Sequence, residues 1–437
     1  MNQITKNTAT FQTILWWCST LLLFIGIFAT APRLYYINTV LFNQLKDLGV
    51  QISYNPTGEK ARFLREIVAP IKGIAFLLAM AGLLPPLIKD IWGSYTKDEL
   101  VNYKRAIWTS ALFVLVIGIF ITSKGLSGGN LEYADQSGVI FEKSNDVWLY
   151  QRFLMPAIAY ILFFRGQLFY LIFSILSIYA MVYVSQIWFE KNNINLKYWQ
   201  LISIFSAGFV YVKLLYPGSP DVLVHLFFLM LFTFPLGELA QLSLVAFSLA
   251  SHEASIFLFA IIAIFFKEGK LRIKYLTVIL LYVIIWLVSI RFDIASLWYT
   301  PQVRGMGALS TILTKPDLLL WGMFYANKLI WLLIIAAIVI VALKKDYRTF
   351  LQFFALIACG LFMSLIGADT IRMFSWSFFS IFMTVKIIHE EDNPKLSTFM
   401  NVILILNLFI APVYTSLYWI SPPSGIYQII YSFIGLR

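Results

Sequence analysis

Apolar residues along this chain come in long unbroken blocks, separated by short polar stretches. Blocks of about 17 to 25 residues match the length a helix needs to cross a bilayer. They predict helices at 11–31, 67–88, 106–122, 166–189 and 199–215, and further ones at 221–236, 238–250, 254–266, 273–290, 318–343, 349–366, 371–388 and 398–417. Membrane barrel strands would instead alternate apolar and polar positions over about 10 residues. In lipid a helix satisfies its own backbone polar groups, so the expected fold class is all-α. The pattern describes a polytopic transmembrane helical bundle of about 13 spans, a single integral membrane domain over residues 1–437.

The main polar interruption runs from Ser123 to Pro156 and carries Gly125, Gly128, Gly129 and Gly138 beside Glu132, Asp135, Glu142 and Asp146. Residues 148–164 that follow are apolar but broken by Arg152 and Pro156, which predicts a helix lying at the interface. Residues 123–165 are thus read as an outer catalytic loop with an interfacial helix, and 291–317 as a second outer loop.

Charge tests that count, because cytoplasmic loops collect Lys and Arg. The clusters Lys97/Lys104/Arg105, Lys267/Lys270/Arg272/Lys274 and Lys344/Lys345/Arg348 fall on one side, with the N-terminus, only if 148–164 does not cross. The expected N-terminus is cytoplasmic and the C-terminus outside. The same rule splits 238–266, one helix of about 43 Å or two of about 20 Å, into a hairpin turning at Ser251-His252-Glu253.

Composition then excludes a water-soluble domain, with 60% hydrophobic and 13% charged residues. The net charge of +11 points to cytoplasmic loops and anionic lipid rather than to nucleic acid. Lys6 ahead of Ile14–Phe28 and the Ala29-Thr30-Ala31 stretch resemble a cleavable signal, but Pro32 blocks cleavage and a retained first helix is expected. Cys18 and Cys359 lie inside apolar runs, where neither a disulfide nor a metal site is expected.

The unusual polar residues fall at the outer ends of predicted spans. Asp135 and Arg152 are in the long loop, and Asp221 follows Pro217-Gly-Ser-Pro220. His252 and Glu253 sit at the hairpin turn, Arg304 is in the loop 291–317, and Asp369 and Arg372 occupy the break in GADTIRMF. Acids, a histidine and arginines converging on one face suit an outward-facing site for a phosphate-bearing ligand. Transfer of a sugar to a hydroxyl needs a base at the acceptor and a cation at the leaving phosphate. Asp135 is the candidate base. Glu132, Glu253 and His252 complete the catalytic candidates, and Arg152, Tyr150, Asp221, Arg304, Asp369 and Arg372 are the substrate-binding ones.

Each has a structural alternative. Asp221 suits a helix N-cap, His252 or Glu253 a pairing with another helix, and Asp369 with Arg372 a local pair at i, i+3. Arg165, Arg291, Lys213 and Lys328 read as side chains snorkelling to the interface, and His225 and His389 as structural.

An acid in the large outer loop, the Tyr-x-x-Arg-Phe-Leu-x-Pro segment Tyr150 to Pro156, and Asp221 at the outer start of a later helix resemble the C-type glycosyltransferase superfamily. Those multi-spanning enzymes take their sugar from a polyprenyl-phosphate carrier. The resemblance covers roughly 106–290 and implies Asp135 as the loop base and Arg152 as the arginine near the donor phosphate. It implies a glycan or lipid-linked acceptor, polysaccharide biosynthesis at a bacterial inner membrane, and an active face that is periplasmic or extracellular. Here the loop follows the third span rather than the first and lacks an Asp-x-Asp pair, which leaves a divalent metal, Mg or Mn, open. An O-antigen-type polysaccharide polymerase and a lipid or solute transporter are the alternatives.

Overall fold

A computed structural model describes residues 2–28, 69–94, 100–120, 126, 129–139, 152–289, 315–366, 369–416 and 420. Every predicted apolar block within them is helical over most of its length, though 221–236 is helical only to Thr233 and 398–417 only to Phe409, and the only strand-like feature among the described residues is an isolated bridge between Thr415 and Ile420. Among the described residues five helices are long and apolar enough to cross a membrane, or up to eight if each bent pair counts as one span.

Helices α1 (Asn2–Phe28), α2 (Ala69–Ser94) and α3 (Leu100–Phe120) are followed by two short ones, α4 (Gly129–Val139) and α5 (Leu154–Ile161). The expected catalytic loop is therefore partly helical. At eight residues, α5 spans only about 12 Å and does not cross a bilayer. Its Leu154, Met155, Pro156, Ala157 and Ala159 are buried. Then come α6 (Gln167–Lys191), α7 (Tyr198–Phe205), α8 (Gly208–Leu215) and α9 (Asp221–Thr233).

The segment 238–266 forms the expected hairpin. Helices α10 (Glu238–Ser251) and α11 (Ser255–Ile261), the latter prolonged by a π turn at Ile262–Phe266, run back on each other: Lys267 Nζ donates to Gln241 Oε1 at 2.8 Å. The longer arm is about 21 Å, less than the roughly 30 Å hydrocarbon core. Helix α12 (Gly269–Ser289) packs on both arms, and its Tyr282 takes the rings of Phe24 and Phe28 from α1.

Three of the expected straight spans are bent at a break. Helices α13 (Pro316–Asn327) and α14 (Ile330–Leu343) meet at 81°, and α7 and α8 at 67°. After α15 (Tyr347–Ile366), a short α16 (Thr370–Phe374) and its 3₁₀ extension to Ser377 meet α17 (Phe379–Glu390) at 42°, and α18 (Pro394–Phe409) follows. The first two breaks touch. Gly208 lies so close to the Ala326 backbone that a Cβ there would sit 3.0 Å from Ala326 Cα. Asn407 of α18 stitches both, its Oδ1 accepting the Leu329 amide at 3.0 Å and its Nδ2 donating to the Ser203 carbonyl at 3.2 Å. Side chains of neighbouring helices are how backbone groups freed at a break are satisfied in an apolar medium.

Two lysine expectations are corrected. Lys328 stands at the α13/α14 break with φ 50° and is 1% exposed, its Nζ 3.5 Å from Ser206 Oγ. Lys213 is 2% exposed. Neither reaches an interface, because each turns inward to a polar group at a helix break or end. Arg165 does behave as expected, exposed and stacked over Tyr160 with its centre 3.8 Å from the ring. Arg291 lies outside the described residues.

An aromatic core fills the middle. Phe189 stacks on Phe382 at 5.0 Å, and Phe228 meets Phe379 at 5.0 Å and Phe378 at 5.5 Å. Such ring pairs bury large areas at little conformational cost and fix how α6, α9 and α17 sit together.

Candidate functional site

The site begins with a clamped turn. Gly218 adopts φ +101°, and a Cβ there would lie 2.7 Å from Leu126, so the Pro-Gly-Ser-Pro sequence makes a bend that few other residues fit. Ser174 Oγ accepts the Gly218 amide at 2.6 Å, and Tyr170 Oη donates to the Gly218 carbonyl at 3.1 Å. Asn130 Nδ2 of α4 donates to the Pro217 carbonyl at 2.9 Å. Held from α4 and α6, the turn delivers Asp221 as the first residue of α9.

Asp221 is fully buried and does not cap its helix with a side-chain bond. Its Oδ2 accepts from Lys213 Nζ at 2.8 Å and lies 3.4 Å from Arg372 Nε, and its Oδ1 is 3.2 Å from His252 Nε2. At the hairpin turn, Glu253 takes Arg152 in a fork, Nε to Oε2 at 3.0 Å and Nη2 to Oε1 at 2.6 Å. The remaining Arg152 Nη1 donates to Tyr133 Oη at 2.9 Å. On α16, Arg372 Nη1 lies 3.2 Å from Asp369 Oδ2. Residues from five distant stretches thus form one ionic network at one end of the bundle.

Its protonation states follow from the bonds. The Ala254 amide donates to His252 Nδ1 at 3.1 Å, which assigns the ring proton to Nε2, facing Asp221. Burial holds the imidazole down to about 4, so His252 is neutral, with Nδ1 hydrogen-bonded and Nε2 facing the Asp221 carboxylate without a hydrogen bond of good geometry. Burial works to raise the Glu253 carboxyl, but the Arg152 guanidinium outweighs it and holds the group at about 2. Burial pushes the Tyr133 phenol up to about 12. Three carboxylates, Asp221, Glu253 and Asp369, therefore balance three cations, Arg152, Lys213 and Arg372. Ionised groups among apolar helices are costly unless paired, and where they persist they mark function more often than stability.

The two arginines differ in what they have left to give. Arg152 is engaged on Nε, Nη1 and Nη2. Arg372, only 20% exposed, has carboxylates at 3.2 and 3.4 Å but no side-chain hydrogen bond of good geometry, and its buried Nε is unsatisfied. A near-buried guanidinium with spare donors can accept a further hydrogen-bond acceptor, such as an anion.

Of the candidates read from sequence, Asp221, His252, Glu253, Arg152, Asp369 and Arg372 meet in this network. Asp135 and Glu132 are next door on α4, whose Asn130, Tyr133, Ala134 and Ser137 form the buried face at helical spacing. Asp135 is on the other side, exposed, and Glu132 is half-buried. Tyr150 and Arg304 lie outside the described residues. Lys213 and Tyr133 were missed. The signal for Lys213 was its place eight residues before Asp221 across a Pro-Gly turn, which brings the two to the same level.

The donor set does not fit Mg or Mn. Each carboxylate in the network already faces a cation, and among the described residues no three His, Cys, Asp or Glu side chains converge to hold an ion.

Acidification should loosen this end of the bundle. A histidine whose folded value lies near 4, against 6.5 when free, makes the unfolded chain bind protons first, so stability is full above about 6.5 and is lost as pH falls toward about 4. Thermal unfolding in detergent from pH 8 to pH 4 is expected to show a steeper fall for the native protein than for His252→Gln. Parallel curves would mean that His252 does not titrate in this window.

No protein-family model, no curated protein and no solved structure matches this chain.

Proposed function

We propose that this chain is a multi-pass membrane glycosyltransferase that moves a sugar from a polyprenyl-phosphate donor to a glycan or lipid-linked acceptor. The single observation that carries the reading is Arg372, a near-buried guanidinium with an unsatisfied Nε at the edge of the ionic network. In this reading the lipid phosphate binds Arg372, while Arg152 positions Glu253 and the hairpin turn. The acceptor hydroxyl attacks the anomeric carbon, and the bond from that carbon to the phosphate oxygen breaks. The hydroxyl proton passes to Asp135, and the charge gained by the leaving phosphate is stabilised by Arg372. Asp135 suits the base because each carboxylate of the network faces a cation, whereas its own side chain is exposed. The proposed topology has about thirteen spans in a bacterial inner membrane, with the N-terminus cytoplasmic and the network on the outer face.

Binding and turnover of a labelled polyprenyl-phosphate sugar test the chemistry. Arg372→Gln is expected to weaken donor binding by about 10- to 100-fold, the equivalent of losing one or two charge-assisted contacts. Arg152→Gln should instead lower thermal stability, since it strands Glu253. Native donor affinity in Arg372→Gln would remove the phosphate from this site, and a ladder of products in place of one added sugar would identify a polymerase.

Sidedness is tested with thiol labelling in intact cells. A cysteine at Gly138, exposed and with no heavy atom within 4 Å of an added Cβ, is expected to react with an impermeant reagent. One at Lys270, also exposed, should be protected. Reversed labelling would place the network on the cytoplasmic side.

A second reading draws on the touching breaks of α7/α8 and α13/α14, since paired discontinuous helices line transport sites. Counterflow of the lipid phosphate in proteoliposomes, with no sugar transferred, would favour a transporter.

A further inference from the structure

At the far end of α6 from the ionic network lies a second polar site. Tyr170 bonds the clamped turn at one end of this helix and Glu190 closes the other, twenty residues and so about 30 Å away. There the ends of α3, α6 and α7 enclose a cavity of about 450 Å³, in the range that holds a small ligand. Arg105, Glu190 and Lys197 bring charge to its wall, and Phe189, Ile194 and Tyr198 bring apolar surface.

The charges form no ion pair with each other. Glu190 Oε2 is buried and accepts no hydrogen bond, and neither Arg105 nor Lys197 approaches it within ion-pair distance, although all three line one cavity. Arg105 is instead fixed over the Tyr198 ring, its Nε donating to Tyr198 Oη at 3.1 Å, which leaves its two terminal nitrogens for a ligand. A buried carboxylate oxygen without a donor is costly, and a donor from a ligand is the remedy this geometry allows. A plain anion would satisfy Arg105 and Lys197 but meet Glu190 with like charge. A plain cation has the reverse fault.

We propose that this cavity binds a zwitterionic amino-phosphate, the chemistry of an ethanolamine-phosphate headgroup. The ammonium, with three N–H donors, faces Glu190, and the phosphate faces Arg105 and Lys197. Phe189 and Ile194 offer an apolar wall to the carbon atoms between and beyond them. The same chemistry is carried by a membrane lipid and by free O-phosphoethanolamine, and the position at the ends of membrane-length helices suits either source.

The test compares lipids on the purified full chain. Native mass spectrometry after delipidation and reloading is expected to show phosphatidylethanolamine retained about tenfold better than phosphatidylglycerol of the same chains, the effect of one charge-assisted contact. Glu190→Gln should abolish that preference while keeping phosphatidylglycerol binding, and it should fold because the buried Oε2 makes no hydrogen bond. Arg105→Gln should weaken both lipids. Stabilisation of the lipid-free protein by millimolar O-phosphoethanolamine would assign the site to the free compound, and stabilisation by the lipid alone to the membrane; either supports the zwitterion. Equal retention of the two lipids by the native protein, or a preference that survives Glu190→Gln, overturns it.

Discussion

Asp135→Asn is expected to lower sugar transfer by about 10² to 10⁴ while leaving donor binding and thermal stability unchanged. The amide keeps the shape of the carboxylate but cannot take the acceptor's proton. The side chain is exposed on α4, so no packing is disturbed. Binding and turnover scored separately on purified protein give a clear reading. Normal turnover in the variant would move the base elsewhere. Glu132, half-buried on the same helix, is then the next to replace, before Asp221 and Glu253, whose charges are already spoken for by Lys213 and Arg152.

Asp221→Asn is expected to have the largest effect on stability. It leaves Lys213, 2% exposed, facing a neutral amide in apolar surroundings, and it removes a carboxylate from beside Arg372. Breaking one partner of a buried pair typically costs about 3 to 5 kcal/mol, whereas replacing both by apolar residues of similar volume is often neutral. The double variant Asp221→Leu with Lys213→Met should therefore recover most of the lost thermal stability without recovering donor binding. That contrast separates the structural pair from the donor-binding role proposed for Arg372. A single variant that melts like the native protein would show that Lys213 and Asp221 do not hold opposite charges in the folded state.

Much of the candidate site was legible because charged residues in apolar surroundings are conspicuous. Asp221, His252, Glu253, Asp369 and Arg372 were each singled out by position at a span end, without knowledge of a partner. Their pairing was not legible. Asp369 and Arg372 were read as substrate-binding, with a local i, i+3 pair as the alternative; the pair is there, and Arg372 also reaches Asp221, which is 151 positions earlier. Arg152 was read as a phosphate ligand, and the structure engages three of its nitrogens in the fork with Glu253 and the Tyr133 contact, partners that lie far from it in the sequence. Lys213 and Lys328 were misjudged because a lysine near a span end snorkels or turns inward according to what lies across from it, and that depends on another helix.

By itself the sequence determined the helical class, the place of nearly every helix, and the hairpin at 238–266, because in an apolar medium each helix must close its own backbone bonds from local sequence alone. The structure decided the rest. The breaks at 206–207 and 328–329 depend on Asn407 and on the close approach of Gly208 to Ala326, contacts between residues far apart in the chain. The balance of three acids and three cations likewise depends on five stretches arriving at one place. Hydropathy reports how each segment prefers to be solvated, and partner choice is a property of the packed bundle, where distance and desolvation fix which charge meets which.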